Sequence, residues 1–258
     1  MKEIKENPLF TRSLPLLTEQ GAFNLQNAKV ALFGLGGVGS YTAEALARSG
    51  IGHFELIDHD FVEPSNLNRQ LCALQQTIGL PKVTVVKQRI LDINPQAKIN
   101  IHQVFYNAES GLDFLPRDLN YIVDAIDSVQ SKIDLIIQAH QNQIPIISAM
   151  GAGNKYDPTG FRVCDIFQTY NDRLAKKLRS ELKKNNITRH AVVFSPEKSA
   201  LNSRKSVASL AYVPAVCGLI CAAKVVEDIA QFSFDHNSSN NNNSNKTNSL
   251  NVDHKITK

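Results

Sequence analysis

Apolar and polar residues follow two rhythms along this chain. Compact apolar runs, bounded by glycine, proline or asparagine, occur at Lys29–Phe33 and at residues 53–58, 99–105, 121–125 and 145–148. Runs of that kind read as buried strands of a parallel sheet. Between them the apolar spacing becomes helical. Ala43, Leu46 and Ala47 share one face over residues 40–49, and similar patterns cover Lys82–Ile93 and residues 131–143. Strands alternating with helices predict an α/β fold, a Rossmann-like and mostly parallel sheet. After Gly151 the rhythm changes. Residues 161–167 read as a strand that starts an antiparallel extension, 174–184 as a basic helix and 188–195 as another strand. Residues 196–209 are polar and read as mobile. The apolar stretch Tyr212–Ala230, with Pro214 in its first turn, closes the fold as a helix. The expected organisation is a helical segment at 1–28, one α/β domain at 29–232 and a tail at 233–258. That tail is rich in Asn and Ser and has too little apolar surface to offset the entropy of ordering, so disorder is expected there.

Composition narrows the class. Of 258 residues, 43% are hydrophobic and 20% charged, which excludes a disordered or fibrous body. The four cysteines, Cys72, Cys164, Cys217 and Cys221, are too few for a disulfide scaffold and form no CxxC pair for structural zinc. No apolar run approaches the roughly 20 residues that span a bilayer. The charged start, Met1-Lys2-Glu3, carries no signal-peptide core, so a cytoplasmic protein with no membrane partner is expected. The net charge of +4 is compatible with an RNA partner without requiring one.

The chemistry begins at the end of the first strand. Gly34-Leu35-Gly36-Gly37-Val38-Gly39 leads straight into a helix, so Gly34, Gly36, Gly37 and Gly39 would let backbone amides and a helix N-terminus approach a phosphate. Asp58 closes the second strand, where a carboxylate can hold ribose hydroxyls. Alone, these features would suggest NAD. The following stretch argues otherwise, because it adds Arg69 and Lys82. Hydride transfer needs no such cations, whereas cleavage of the α–β phosphate bond of ATP does, since negative charge grows on the departing pyrophosphate. Asp127 follows a predicted strand end, where a carboxylate could hold Mg²⁺ together with phosphate oxygens.

The glycine turn, Asp58, Ser65-Asn66-Leu67-Asn68-Arg69-Gln70, Pro81-Lys82 and Asp127 together resemble the adenylation fold of ubiquitin-activating-type (E1-like) enzymes. Phe10-Thr11-Arg12, Asp92-Ile93-Asn94-Pro95, Gly151-Ala152-Gly153-Asn154-Lys155-Tyr156-Asp157-Pro158 and Ala211-Tyr212-Val213-Pro214 resemble its tRNA threonylcarbamoyladenosine dehydratase branch. The likeness runs from about Phe10 to Ala230. It implies ATP-dependent cyclising dehydration of N6-threonylcarbamoyladenosine in tRNA through a carboxyl-adenylate intermediate. It also implies roles. Asp58 would hold the ribose, Asn66 and Arg69 would contact phosphates, Lys82 would stabilise developing charge and Asp127 would place Mg²⁺. Arg12 matches an arginine that serves the neighbouring active site of a homodimer. A monovalent cation and a sulfur-transfer partner protein are left open.

Two other readings stand beside this one: adenylation of the C-terminus of a ubiquitin-like sulfur-carrier protein, and a non-catalytic nucleotide-binding scaffold. Thioester chemistry would need an exposed thiol, yet Cys164 sits in an apolar strand pattern and Cys217 and Cys221 on an apolar helix face. The basic segment around Lys176, Lys177 and Arg179 fits a surface that faces tRNA.

Overall fold

The computed structural model describes residues 2–201 and 207–232. Residues 202–206 and the predicted tail at 233–258 lie outside the described residues. The chain opens with α1 (Lys2–Glu6) and α2 (Leu14–Asn27), then enters β1 (Lys29–Phe33), α3 (Gly39–Arg48) and β2 (His53–Ile57). It continues through α4 (Lys82–Ile93), β3 (Lys98–His102), β4 (Tyr121–Asp124), α5 (Val129–Gln141) and β5 (Ile146–Ala149). The last part is β6 (Arg162–Asp165), α6 (Arg173–Lys184), β7 (Ala191–Phe194) and α7 (Tyr212–Ala230). The seven strands form one sheet in the order β3-β2-β1-β4-β5-β7-β6, parallel except for β6, which pairs antiparallel with β7. No described helix is long and apolar enough to cross a membrane.

The pleat divides the core in two. In β1, Val30 and Leu32 face one side while Ala31 and Phe33 face the other, the period-2 alternation of a strand. On the first side, α2, α3, α4 and α7 pack through Leu25, Leu46, Val83 and Cys217. On the second, α5 and α6 pack through Leu135, Ile136, Leu178 and Leu182. The N-terminal helix α2 thus shares its core with the sheet.

Three predicted strands are clearly shorter than their runs; the one at 188–195 is β7, which starts only at Ala191. The run at 99–105 ends as β3 at His102, because β3 is a half-exposed edge strand and the chain then turns. Phe105 leaves the sheet to pack edge-on against His59, with ring centroids 4.9 Å apart. The run at 161–167 breaks after β6, where the Asp165 side chain accepts from Phe167 N at 2.8 Å and caps a 3₁₀ turn. The polar stretch after β7 does not hang free where it is described. Ala200 N donates to Asn154 O and Ala208 N to Asn154 Oδ1, both at 2.8 Å.

Beneath the end of β4 lies an ion pair with no exposure at all, Lys132 Nζ to Asp124 Oδ1 at 2.8 Å. The same Oδ1 accepts from Ile126 N at 3.1 Å, so the pair also fixes the turn that follows the strand. Removing one member of a buried pair strands the other charge. Lys132→Met should therefore lower stability by about 3–5 kcal/mol. Asp124→Asn combined with Lys132→Met removes both charges and keeps an acceptor for Ile126 N, and should recover most of that loss. Denaturant unfolding of the three proteins checks this.

Candidate active site

The sheet reverses direction at β1. The chain moves outward through β2 and β3 on one side and through β4 and β5 on the other. Ligands of open α/β sheets bind in the crevice at the carboxyl ends of the strands at such a point. Here that crevice is a cleft of about 500 Å³. Its floor is the glycine turn after β1. Gly34 adopts φ +86°, and a Cβ there would stand 2.6 Å from Ala125 O. Gly34 N donates to Ile57 O and Ala125 N to Phe33 O, both at 2.8 Å, so three strand ends are tied together. Gly36 and Gly37 line the cleft. Gly39 shapes the turn from outside it, since a Cβ on Gly39 would sit 1.8 Å from Gly34 O. Its role is close helix–strand packing.

Asp58 also lines the cleft, and its carboxylate is engaged on both oxygens. Oδ2 accepts from Leu35 N at 2.6 Å and Oδ1 from Asp60 N at 2.8 Å. The carboxylate therefore grips the glycine turn directly. Lys82, the first residue of α4, is only 4% exposed, and its Nζ donates to Asp60 Oδ2 at 2.7 Å. Asp60, which spacing alone does not single out, lines the cleft and tethers Lys82. Its signal was the Asp-His-Asp triplet at the strand end. Asn66 is buried within the 3₁₀ turn Pro64–Asn66, where its Oδ1 accepts from Glu63 N at 3.1 Å. That turn sets up Arg69, whose Nη1 donates to Ser65 O at 2.8 Å and to Asn68 Oδ1 at 2.9 Å. Asp127 is exposed on the cleft wall and has no hydrogen-bond or ion-pair partner among the described residues. Arg12 does not reach this cleft. It sits exposed in the turn before α2.

The Gly151–Pro158 segment builds a wall. Ala152 and Gly153 line the cleft beside Val207 and Ser209. Lys155, 6% exposed, donates to Ser195 O at 3.2 Å and Glu197 O at 2.5 Å, and burial pulls its pKa down. The Glu197 carboxylate accepts in return from Tyr156 N and Asp157 N. Pro214 of α7 closes the floor against Gly37.

One cluster and one lone carboxylate could meet a metal ion. The ligand atoms of Asp58, His59 and Asp60 lie within 4.8 Å of one another. Backbone amides and the Lys82 ammonium already satisfy those carboxylates, which disfavours a cation there. The unpartnered Asp127 fits Mg²⁺ better, because that ion takes one or two carboxylates plus phosphate oxygens. No cysteine lines the cleft. Cys72, Cys217 and Cys221 are buried, and burial pushes Cys72 up to about 11, while Cys164 is half-buried in β6.

Amides and two cations facing one crevice, with no thiol in its lining, suit a nucleotide whose phosphates are to be broken apart. Fold and cleft together define a nucleotide-binding protein of the adenylating, ubiquitin-activating type. Comparison with known proteins makes this specific: the chain matches the ThiF family over residues 10–257 and belongs to it. A tRNA threonylcarbamoyladenosine dehydratase of Bacillus subtilis (strain 168) is 40% identical over 238 residues, 85% of this chain and 94% of the relative. One from Escherichia coli (strain K12) is 39% identical over 202 residues, 78% of this chain and 74% of the relative. The crystal structure of E. coli tRNA N6-threonylcarbamoyladenosine dehydratase in complex with ATP matches with a TM-score of 0.80 at 34% identity, covering 86% of this chain and 93% of that one.

Gly36 and Gly39 separate binding from folding. A Cβ at Gly36 meets nothing closer than Gln70 Nε2 at 3.7 Å. Gly36→Ala should melt like the parent protein while narrowing the approach to a phosphate, so its ATP affinity should fall. Gly39→Ala drives a methyl into backbone and should cost about 1–3 kcal/mol or more. Thermal melts and calorimetric ATP titrations on both variants check the contrast.

Proposed function

We propose that this protein is an ATP-dependent tRNA-modifying dehydratase acting on N6-threonylcarbamoyladenosine. The observation that carries the proposal is one cleft lined by the glycine turn, the buried Lys82, Arg69 and the unpartnered Asp127. The relatives' names supply the substrate. A carboxylate is a poor electrophile because its negative charge shields the carbonyl carbon. Transfer to the α-phosphorus of ATP removes that charge and creates a good leaving group. One oxygen of the threonyl carboxylate forms the new bond to phosphorus, and the α–β bridging bond breaks with its electron pair leaving on pyrophosphate.

Arg69, held by its own loop, would meet the phosphates with its remaining N–H groups. Lys82 would face the charge that develops as pyrophosphate departs, and its pairing with Asp60 keeps it in place beforehand. Asp58 would act twice, holding the glycine turn and the ribose. Asp127 would hold Mg²⁺, which supplies charge neutralisation at the phosphates when bound. The carbamoyl group next attacks the activated carbonyl within the same nucleoside, where proximity gives a large effective concentration. AMP leaves, one proton is lost, and the base has lost one water. A tRNA substrate and an ATP requirement fit a cytoplasmic enzyme. The sulfur-carrier reading is the weaker one, because no cysteine lines the cleft and three of the four are buried.

The reading is tested by incubating the protein with ATP, Mg²⁺ and tRNA carrying the modification, then measuring nucleoside masses. Loss of one water, with AMP formed in equal amount, is expected. Asp127→Asn should slow the reaction by about 10²–10³-fold, with partial recovery at raised Mg²⁺. Asp124, three residues earlier, serves the fold instead, through its pair with Lys132. Unchanged nucleoside masses with the parent protein would overturn the reading, and parent-like rates in Asp127→Asn would remove that residue from it.

We also propose a homodimer in which Arg12 reaches the partner's cleft, because it is exposed, has no partner among the described residues and stands away from its own cleft. Arg12→Ala and Lys82→Ala should each be nearly inactive, and a subunit-exchanged mixture of the two should regain activity. A mixture that stays inactive after proven exchange would rule out action across the interface.

A further inference from the structure

We infer that the outer face of α6 is the track that binds the phosphate backbone of the RNA substrate and leads it to the cleft. The inference rests on the tRNA reading above and assigns that substrate a surface. The helix carries six cations against one carboxylate, more than the +4 net charge of the entire chain. Its inner face, Ala175, Leu178 and Leu182, is completely buried, so the register of the charges is fixed by packing. Arg173, Lys176, Lys177, Lys183 and Lys184 all remain exposed. Lys184 pairs with Glu181 at 2.8 Å and Arg179 turns inward to Thr169. Arg173, Lys176 and Lys177 have no hydrogen-bond or ion-pair partner among the described residues.

The helix is aimed at the site. Its N-cap residue Asp172 accepts from Gly151 N at 3.1 Å through Oδ2 and from Ala175 N at 3.0 Å through Oδ1. One carboxylate thus joins the start of α6 to the segment whose next two residues, Ala152 and Gly153, line the cleft. The helix thus starts against the residue that precedes this wall, and it is about 18 Å long at 1.5 Å per residue. Beside its start stands Tyr170, 50% exposed, whose hydroxyl accepts from Arg162 Nη2 at 3.4 Å. An exposed ring there offers a stacking surface to an unpaired base.

Charge alone would also attract an acidic protein. The make-up of the face favours RNA, because its exposed positions hold lysine, arginine and serine and no large apolar side chain. Protein interfaces bury an apolar centre in which lysine is depleted. A polyanion backbone needs only evenly spread cations.

The experiment uses the full chain with Lys176→Ala/Lys177→Ala, and Tyr170→Ala separately, at exposed positions outside the catalytic machinery. Steady-state turnover of modified tRNA is measured across a series of salt concentrations, alongside the KM for ATP and thermal melts. For the double variant, the KM for tRNA should rise about ten-fold, and the slope of log affinity against log salt should fall by about 2, one for each lost phosphate contact. The kcat, the KM for ATP and the melting temperature should not move. Tyr170→Ala should raise the KM for tRNA without changing the salt slope. If the parent protein turns over tRNA and the double variant matches it in KM and slope, this surface assignment is wrong while the functional reading stands. If the parent protein does not act on tRNA, both fall. If the double variant loses binding to an acidic protein while its KM for tRNA is unchanged, the face belongs to a protein partner and the assignment is overturned.

Discussion

Everything in the cleft depends on how closely the backbone packs at the end of β1. Gly34 N binds Ile57 O, Ala125 N binds Phe33 O, and Leu35 N binds the Asp58 carboxylate. Those three hydrogen bonds draw the ends of β2, β1 and β4 into one knot. The knot can form only where side chains are absent, because a Cβ on Gly34 or Gly39 would lie within 3 Å of a neighbouring carbonyl oxygen. Once it is tied, the remaining geometry follows. The helix α3 must start at the turn with its free amides toward the crevice. The stretch after β2 brings Asp58 and Asp60 to one rim, and the stretch after β4 brings Asp127 to the other. The same rule holds on the far side, where Gly218 of α7 lies so near Val38 O that a Cβ would stand 2.3 Å from it. That contact lets α7 cover the turn and set Pro214 against Gly37.

The frame of this fold could be read from hydrophobic rhythm because its strands are buried on both faces. Lys29–Phe33, Lys82–Ile93 and Tyr212–Ala230 have the ends that the pattern predicts. Rhythm fails where burial fails. β3 is an edge strand with no buried residue, and nothing in its apolar run marks the point at which Phe105 turns away to meet His59. The candidate site divides in the same way. Glycines and a strand-terminal aspartate announce themselves by spacing, since backbone geometry demands them at fixed offsets. Asp60 and Lys132 do not. Each resembles an ordinary surface charge until the sheet brings its partner 22 or 8 residues away within 3 Å. Lys155 is less legible still, for its acceptors are backbone carbonyls more than 40 residues distant or nearly so, and carbonyls leave no mark in composition.

Three lysines are buried among the described residues, and the fold treats each differently. Taking an ammonium out of water costs several kcal/mol unless the replacement contacts are good. Lys132 meets a carboxylate as buried as itself, whose Oδ1 takes the ammonium while Oδ2 has no hydrogen-bond partner among the described residues. Lys155 meets only carbonyl oxygens, and its lowered pKa records that incomplete compensation. Its contacts join the 151–158 wall to the chain after β7, a purely architectural result. Lys82 is different because its partner is half in water, with the Asp60 side chain 48% exposed against 6% for the lysine. A half-solvated carboxylate holds the ammonium in position without cancelling its field toward the cleft. An anion arriving over the glycine turn therefore meets a positive charge that is already oriented and already desolvated, and little reorganisation is left for the moment of reaction. Arg69 is oriented by another route, with one edge of its guanidinium held by its own loop while the side chain stays partly in water. For Lys82, the asymmetry of burial between the cation and its tether is what sets it apart from Lys132 and Lys155, which serve only to hold the chain together.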